Sequence, residues 1–287
     1  MVLEMIMEPI LLYDTTLRDG TQGENIAFSA DEKLTIAQRL DDIGLHYIEG
    51  GWPGSNPRDM HFFDIARREK FRQARLTAFG ATRRADRKAA EDANLNALLK
   101  SEAPVLAIFG KTWDFHVTEA LRIKLDQNLL LVSESIEYLK KKRREVVFDA
   151  EHFFDGFKAN PEYALKVVFA ARDAGADWIV LCDTNGGSLP SLVTDASRQA
   201  HAICPNIGIH THNDSELAVA NSLAAVDAGA NMVQGTVNGY GERVGNANLT
   251  SIIPNLELKM DRRTVGRDRL PELTSLAFFV SETANVR

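Results

Sequence analysis

Gly175-Ala-Asp-Trp-Ile-Val-Leu-Cys-Asp183 is the stretch that sets the fold. A glycine that stops one helix is followed almost at once by an apolar run, 178–183 (WIVLCD), without polar alternation. Such a run is how a parallel strand reads when helices cover the sheet. The same device recurs in Gly44-Leu-His-Tyr-Ile and Gly229-Ala-Asn-Met-Val, each placing a helix-ending glycine before a new strand. The helix before this strand reads as 161–174 and the one after it as 190–203. Further strands are predicted at 10–14, 47–51, 76–80, 105–110, 146–150, 207–212 and 232–237. Helices are predicted at 30–43, with Ser29 as N-cap, and from Asn56-Pro57. Others fall near 117–121 and 127–142, and at 216–228 and about 248–256. Eight strand–helix units within roughly 250 residues predict an α/β chain closed as a (β/α)8 TIM barrel. An open doubly wound sheet is the alternative. It usually carries a GxGxxG turn after strand one, where this chain has Thr15-Thr-Leu-Arg-Asp-Gly20.

Composition narrows the function. The 287 residues hold 33 Lys+Arg against 40 Asp+Glu, a formal charge of −7, so the basic footprint of a nucleic-acid binder is absent. No apolar run approaches the ~20 residues that span a bilayer, and no membrane partner is expected. The two cysteines, Cys182 and Cys204, make no disulfide framework and no CxxC site. Residues 1–14 carry Glu4 and Glu8 and lack a signal peptide's basic start and cleavage site. A cytoplasmic protein is the expectation. The basic run 140–144 (KKKRR) reads as a solvated helix end.

In a barrel, polar residues just after the strands line the catalytic face. Here they gather at that end of nearly every strand: Arg18, Asp19 and Gln22; Arg83 and Arg84; Lys111 and Trp113; Glu151 and His152; Asp183 and Thr184; His210, His212 and Asp214; Glu242, Arg243 and Asn246. His210-Thr211-His212 is the sharpest signal, because residues i and i+2 of a strand point to one face. The two imidazoles read either as ligands of a divalent metal or as a hydrogen-bonded pair. Asp19, after strand one, is the best third ligand. Arg18 either stabilises a developing oxyanion or pairs with a carboxylate such as Glu49. Glu151 reads as an orienting group for proton transfer or as a salt-bridge partner. Thr184 reads as a donor to a substrate carboxylate or as a turn residue. The loop Gly239–Ala247 offers backbone N–H groups for an anion and is long enough to bring Asn246 over the barrel, or it is an ordinary glycine-rich loop. Cys182 reads as core. Trp52 and Trp113 read equally as pocket walls or loop packing.

Asp14-Thr-Thr-Leu-Arg-Asp-Gly-Thr-Gln22, His210-Thr-His-Asn-Asp214 and Gly241-Glu-Arg-Val-Gly-Asn-Ala247 together resemble the DRE-TIM metallolyase superfamily. The resemblance covers essentially the whole chain and falls in its acyl-CoA-condensing branch, the isopropylmalate, homocitrate and citramalate synthases. Tyr47-Ile-Glu-Gly-Gly-Trp-Pro-Gly-Ser-Asn-Pro57, Ile108-Phe-Gly-Lys-Thr-Trp-Asp114 and Asp149-Ala-Glu-His-Phe-Phe-Asp-Gly156 look like the bacterial citramalate synthases. The resemblance implies a Claisen-type condensation of acetyl-CoA with pyruvate, giving citramalate and CoA for isoleucine synthesis. It implies Asp19, His210, His212 and Asn246 as ligands of a divalent metal (Zn, Mn, Co or Mg). It gives Arg18 the 2-oxo group, Gln22 and Thr184 the oxo acid, and Glu151 the acetyl group or proton network. A homodimer is the family default. Isopropylmalate or homocitrate synthesis, and a carbon–carbon lyase or aldolase, are the alternatives, with a non-enzymatic barrel behind them. The barrel is expected over residues 1–258. Residues 259–287 are expected to start a linker toward C-terminal subdomains that this chain lacks. In these enzymes the base for the acetyl methyl lies in that later segment, so the chain alone is expected to bind metal and pyruvate but turn over poorly.

Overall fold

The computed structural model describes residues 9–286. Residues 1–8, most of the stretch read above for a signal peptide, and Arg287 lie outside the described residues. Eight parallel strands close into a barrel in chain order: β1 (Leu11–Asp14), β2 (Tyr47–Gly51), β3 (Arg75–Ala81), β4 (Val105–Lys111), β5 (Glu145–Glu151), β6 (Trp178–Asp183), β7 (Ile207–Thr211) and β8 (Met232–Gly235). Closure is direct, with Leu11 to Asp14 paired against Met232 to Gly235. The α/β (β/α)8 barrel is therefore the fold, and the open doubly wound sheet is excluded.

The outer ring is α1 (Ala30–Ile43), α2 (Pro57–Ala66), α3 (Ala93–Lys100), α4 (Leu125–Lys141), α5 (Phe153–Ala159), α6 (Pro161–Asp173), α7 (Pro190–Ile203), α8 (Ala218–Asp227), α9 (Leu249–Lys259) and α10 (Leu273–Thr283). Local chemistry sets the ends. Ser29 caps α1 in a full capping box with Glu32, and Gly44 ends it at φ 103°, where a side chain would be strained. Apolar packing divides into two layers. Between helices and barrel lies a continuous shell that includes Phe62, Phe148, Phe153 and Ile252. Inside the barrel a smaller set, among them Tyr13, Tyr47, Val147, Val180 and Cys182, fills the lumen below the carboxyl ends of the strands.

Three helices escape the sequence reading. The eight-residue α3 hangs on the Asp92 cap and buries only Leu95 and Leu98. In α5 the run Phe-Phe-Asp-Gly-Phe begins at His152 with φ 55°. The third is α10, which lies in the stretch read as the start of a linker. It packs against the barrel through buried Leu273, Leu276 and Val280. Strand eight is shorter than expected, ending at Gly235, because Thr236 and Val237 donate instead to Ala247 O and Thr16 Oγ1. The run 140–144 is a helix end: Lys140 Nζ reaches both Asp177 oxygens at 2.8 and 2.6 Å. Among the described residues no helix is long and apolar enough to cross a membrane.

Candidate active site

The turn after β1 is built by its own side chains. Asp14 accepts from Thr16 N (2.9 Å) and Thr16 Oγ1 (2.8 Å), and Thr16 Oγ1 accepts from Val237 N (2.8 Å). This ties the first loop to the last and presents Arg18 and Asp19 at the barrel mouth. Arg18 is clamped: its Nε reaches Glu49 Oε1 at 2.5 Å and its Nη1 reaches Asp19 Oδ2 at 3.3 Å. Its guanidinium lies 3.7 Å from the centre of the Phe79 ring. Glu49 also accepts the Tyr13 hydroxyl. The pairing with Glu49, one of the two sequence alternatives for Arg18, is present, and Arg18 also lines the cavity.

His210 and His212 converge as strand periodicity requires. Their Nε2 atoms are 3.2 Å apart, and His210 Nε2 is 3.4 Å from Asp19 Oδ2. Ligand atoms of Asp19, His210 and His212 lie within 4.8 Å of one another, and all three residues are buried. Burial lowers both imidazoles below their ordinary value, His212 to about 4 with further repulsion from His210, so both stand neutral. Burial also pushes the Asp19 carboxyl up, but its surroundings, the Arg18 guanidinium first among them, outweigh it and hold Asp19 below the usual range. Asn246 belongs to the same spot. It bridges His212 across the strand direction, and its amide helps keep Asp19 ionised. Its placement needs the glycines around it. A Cβ on Gly241 would run into the Asn246 amide, and Gly245 turns at φ 98° against Gly239 O. The loop's polar atoms largely serve the loop: Asn246 N bonds Gly239 O and Asn246 Nδ2 bonds Tyr240 O, both at 2.9 Å.

Four buried atoms of this cluster make no hydrogen bond: Asp19 Oδ1, Asn246 Oδ1, His210 Nδ1 and His212 Nδ1. Buried polar atoms are nearly always paired. Two neutral imidazoles, one carboxylate and one amide oxygen are a donor set suited to a divalent cation. The residues present therefore fit such an ion.

A cavity of about 240 Å³ opens beside the cluster. Arg18, Asp19, Gln22, Glu151, Thr184, His210 and His212 all line it, so sequence separations of up to 194 residues, Arg18 to His212, collapse into one site. Glu151 is paired with Lys111. Thr184 Oγ1 accepts from His152 N at 2.9 Å, which leaves its hydroxyl hydrogen free to donate. Trp52 lines the cavity, whereas Trp113 packs against Phe115, His116 and His152. His152 Nδ1 lies 3.0 Å from Asp155 and the residue does not line the cavity. Arg243 forks onto Asp214 at 2.7 and 2.9 Å, a clasp between the last two loops. Cys182 is lumen core at the cavity floor, its thiol pushed well up by burial.

Sequence reading passed over Asp149, Phe79 and Phe109. Asp149 is buried inside β5, accepts from Gln234 Nε2 at 3.1 Å and lines the cavity; burial and then Glu49 push its carboxyl well up. The apolar run around it gave one signal only, a lone acid in a strand.

Residues 9–276 match the HMGL-like family. The chain belongs to the HMGL-like family. Among curated relatives it is 58% identical over 98% of its length to an (R)-citramalate synthase of Geobacter sulfurreducens, and 56% identical over 97% to that of Aquifex aeolicus. It spans 53% of each relative, about half of their length. A 2-isopropylmalate synthase of Shouchella clausii is more distant, 36% identical over 89% of this chain and 49% of its own length. The solved HMG-CoA lyase of Bacillus subtilis superimposes with a TM-score of 0.81, at 22% identity, covering 98% of this chain and 95% of the lyase. That likeness speaks for the HMGL-like fold alone.

Proposed function

We propose that this chain is the catalytic barrel of a citramalate synthase, condensing acetyl-CoA with pyruvate to give citramalate and CoA. The observation that carries the reading is the convergence of Asp19, His210 and His212, whose ligand atoms lie within 4.8 Å of one another, beside the Arg18 guanidinium in one small cavity. The choice of pyruvate rests on the citramalate synthase relatives and on the lining of that cavity by Trp52, Phe79 and Phe109.

In the reaction the acetyl methyl loses a proton and its carbon attacks C2 of pyruvate. The former carbonyl oxygen takes up a proton, and water then cleaves the thioester to release CoA as its thiol. Asp19, His210, His212 and Asn246 would hold a divalent cation, which would supply Lewis acidity toward the oxo acid. Arg18, fixed by Glu49 and Asp19, presents its planar donors to the oxygen that becomes negative. Thr184 and Gln22 orient the oxo acid carboxylate. Glu151, held by Lys111, faces the acetyl side. The barrel is assigned residues 1–258, with 259–287 leading toward the remainder of a longer protein. A homodimer in the cytoplasm, serving isoleucine synthesis, completes the reading.

Thiol release tests it: the chain with Mn2+, acetyl-CoA and each 2-oxo acid in turn, with binding of the same acids followed by calorimetry. Binding of pyruvate in preference to 2-oxoisovalerate and 2-oxoglutarate, with CoA released only alongside pyruvate, is expected. Preference for 2-oxoisovalerate would move the reading to isopropylmalate synthesis. Thiol formation without any oxo acid would overturn the condensation.

A further inference from the structure

One end of the cavity is an aromatic box. Phe79 and Phe109 stack with centroids 5.5 Å apart, and the Trp52 indole stands edge-on to both, at 5.5 and 5.7 Å. All three rings line the cavity. Trp52 comes from the loop after β2 and is held from two sides. Its backbone N–H donates to Asp59 Oδ2 at 2.8 Å; the other Asp59 oxygen takes the buried Lys33 Nζ at 2.6 Å, which also reaches Gly50 O at 2.9 Å. Its indole Nε1 donates to Asn94 Oδ1 at 2.8 Å.

Asn94 sits on α3, outside the barrel, and does not line the cavity. Its Nδ2 donates to Ala81 O at 2.6 Å, at the end of the strand that carries Phe79. Its Oδ1 lies so near β3 that a Cβ on Gly80 would come within 2.8 Å. One amide thus fixes the loop indole and the strand end to each other. The backbone clamp on Asp59 sets where Trp52 begins; the bond to Asn94 is the hydrogen bond that fixes its ring.

We propose that Asn94 is a specificity-determining positioning residue: by locking the Trp52 indole it makes the end wall of the cavity rigid. The inference rests on the 2-oxo acid reading given above. A wall rejects one extra methylene only if it does not yield, and in an apolar pocket that methylene is worth about 10–200-fold. Freed from Asn94, the indole can swing away from Phe79 and Phe109, and the longer acid is then admitted.

The test is calorimetric binding of pyruvate, 2-oxobutanoate and 2-oxoisovalerate to the chain in saturating Mn2+. The parent is expected to favour pyruvate over 2-oxobutanoate by about 10-fold or more. Asn94→Ala should cut that ratio to about 3-fold or less, mostly by tightening 2-oxobutanoate. Trp52→Phe keeps a ring, removes the N–H and does not depend on Asn94 variants folding; it should cut the ratio equally, and the double variant should add nothing. A merely structural tie would lower the melting temperature and leave the ratio alone. An unchanged ratio in Asn94→Ala and Trp52→Phe, or a parent that binds pyruvate and 2-oxobutanoate equally, overturns the proposal while the oxo acid reading stands. A parent that binds no 2-oxo acid overturns both.

Discussion

The two ends of the barrel use the same residue types to opposite effect. At the amino end the buried carboxylates Asp41 and Glu257 are held by several donors each. Asp41 accepts three backbone N–H groups, from Arg72, Gln73 and Ala74, at 2.6, 3.0 and 2.7 Å. Asp177, just before β6, takes Lys140 and Val146 N, and Glu257 Oε1 takes Thr264 N, Thr264 Oγ1 and Gly266 N. His46, just before β2, uses Nδ1 to accept Leu12 N at 3.1 Å. At the carboxyl end, Asp19, His210, His212 and Asn246 are as buried, yet each keeps an unpaired polar atom. Groups such as Asp41 and Glu257 spend their oxygens on the backbone and hold chain segments in place, whereas Asp19, His210 and His212 converge on one point of the cavity. A residue's type does not separate the two classes, but what its polar atoms face does.

Substitutions at the two ends should therefore fail in different assays. Arg18→Lys keeps the charge and loses the fork that grips Glu49 and Asp19, so thiol release should fall by at least about 100-fold while the melting temperature barely moves. Near-normal turnover would detach Arg18 from the chemistry. Asp41→Ala should do the reverse. Three stranded N–H groups at the entry to β3 should cost about 3 kcal/mol in urea denaturation, with Mn2+ affinity unchanged in the folded protein. A fall in Mn2+ affinity would break the separation between the ends.

His46 should give almost no effect at neutral pH and a pH-dependent one below it. Burial lowers its pKa to about 4, so the folded state holds it neutral while the unfolded chain protonates it near 6.5. The unfolded state binds the extra proton between those values. Stability from this group is thus complete above about pH 6.5 and is lost as pH falls toward 4, on the order of 3 kcal/mol in all. His46→Gln keeps an acceptor for Leu12 N and cannot titrate. It should flatten the stability curve over that window, and an equally steep curve in the variant would contradict the assignment.

Much of this was legible from sequence because both signals are local. A stop glycine and an apolar run announce three of the strands, after Gly44, Gly175 and Gly229, and the period of two places His210 and His212 on one face without any knowledge of the fold. The missed helices lack such a signal. Only Leu95 and Leu98 are buried in α3, and α5 is too short to show a helical period. Site residues inside strands were harder still. Asp149 lies in an apolar run, and its meaning comes from Gln234, 85 residues away, and from Glu49 across the lumen. Glu49 was visible only as one possible partner for Arg18; the structure adds that it also anchors Tyr13. The Asn94 bond to Trp52 crosses 42 residues between a loop and a helix the sequence does not announce.

The proposed cation site at the carboxyl end is the convergence of Asp19, His210 and His212, with Asn246 beside them. Titrating the chain with Mn2+, followed by the loss of the free-ion electron paramagnetic resonance signal, tests it most directly. One ion per chain is expected, with His212→Ala weakening it by at least about 100-fold and leaving the fold intact, because ligand residues carry most of such a site's affinity. No binding by the parent, or equal binding by His212→Ala, would contradict the account.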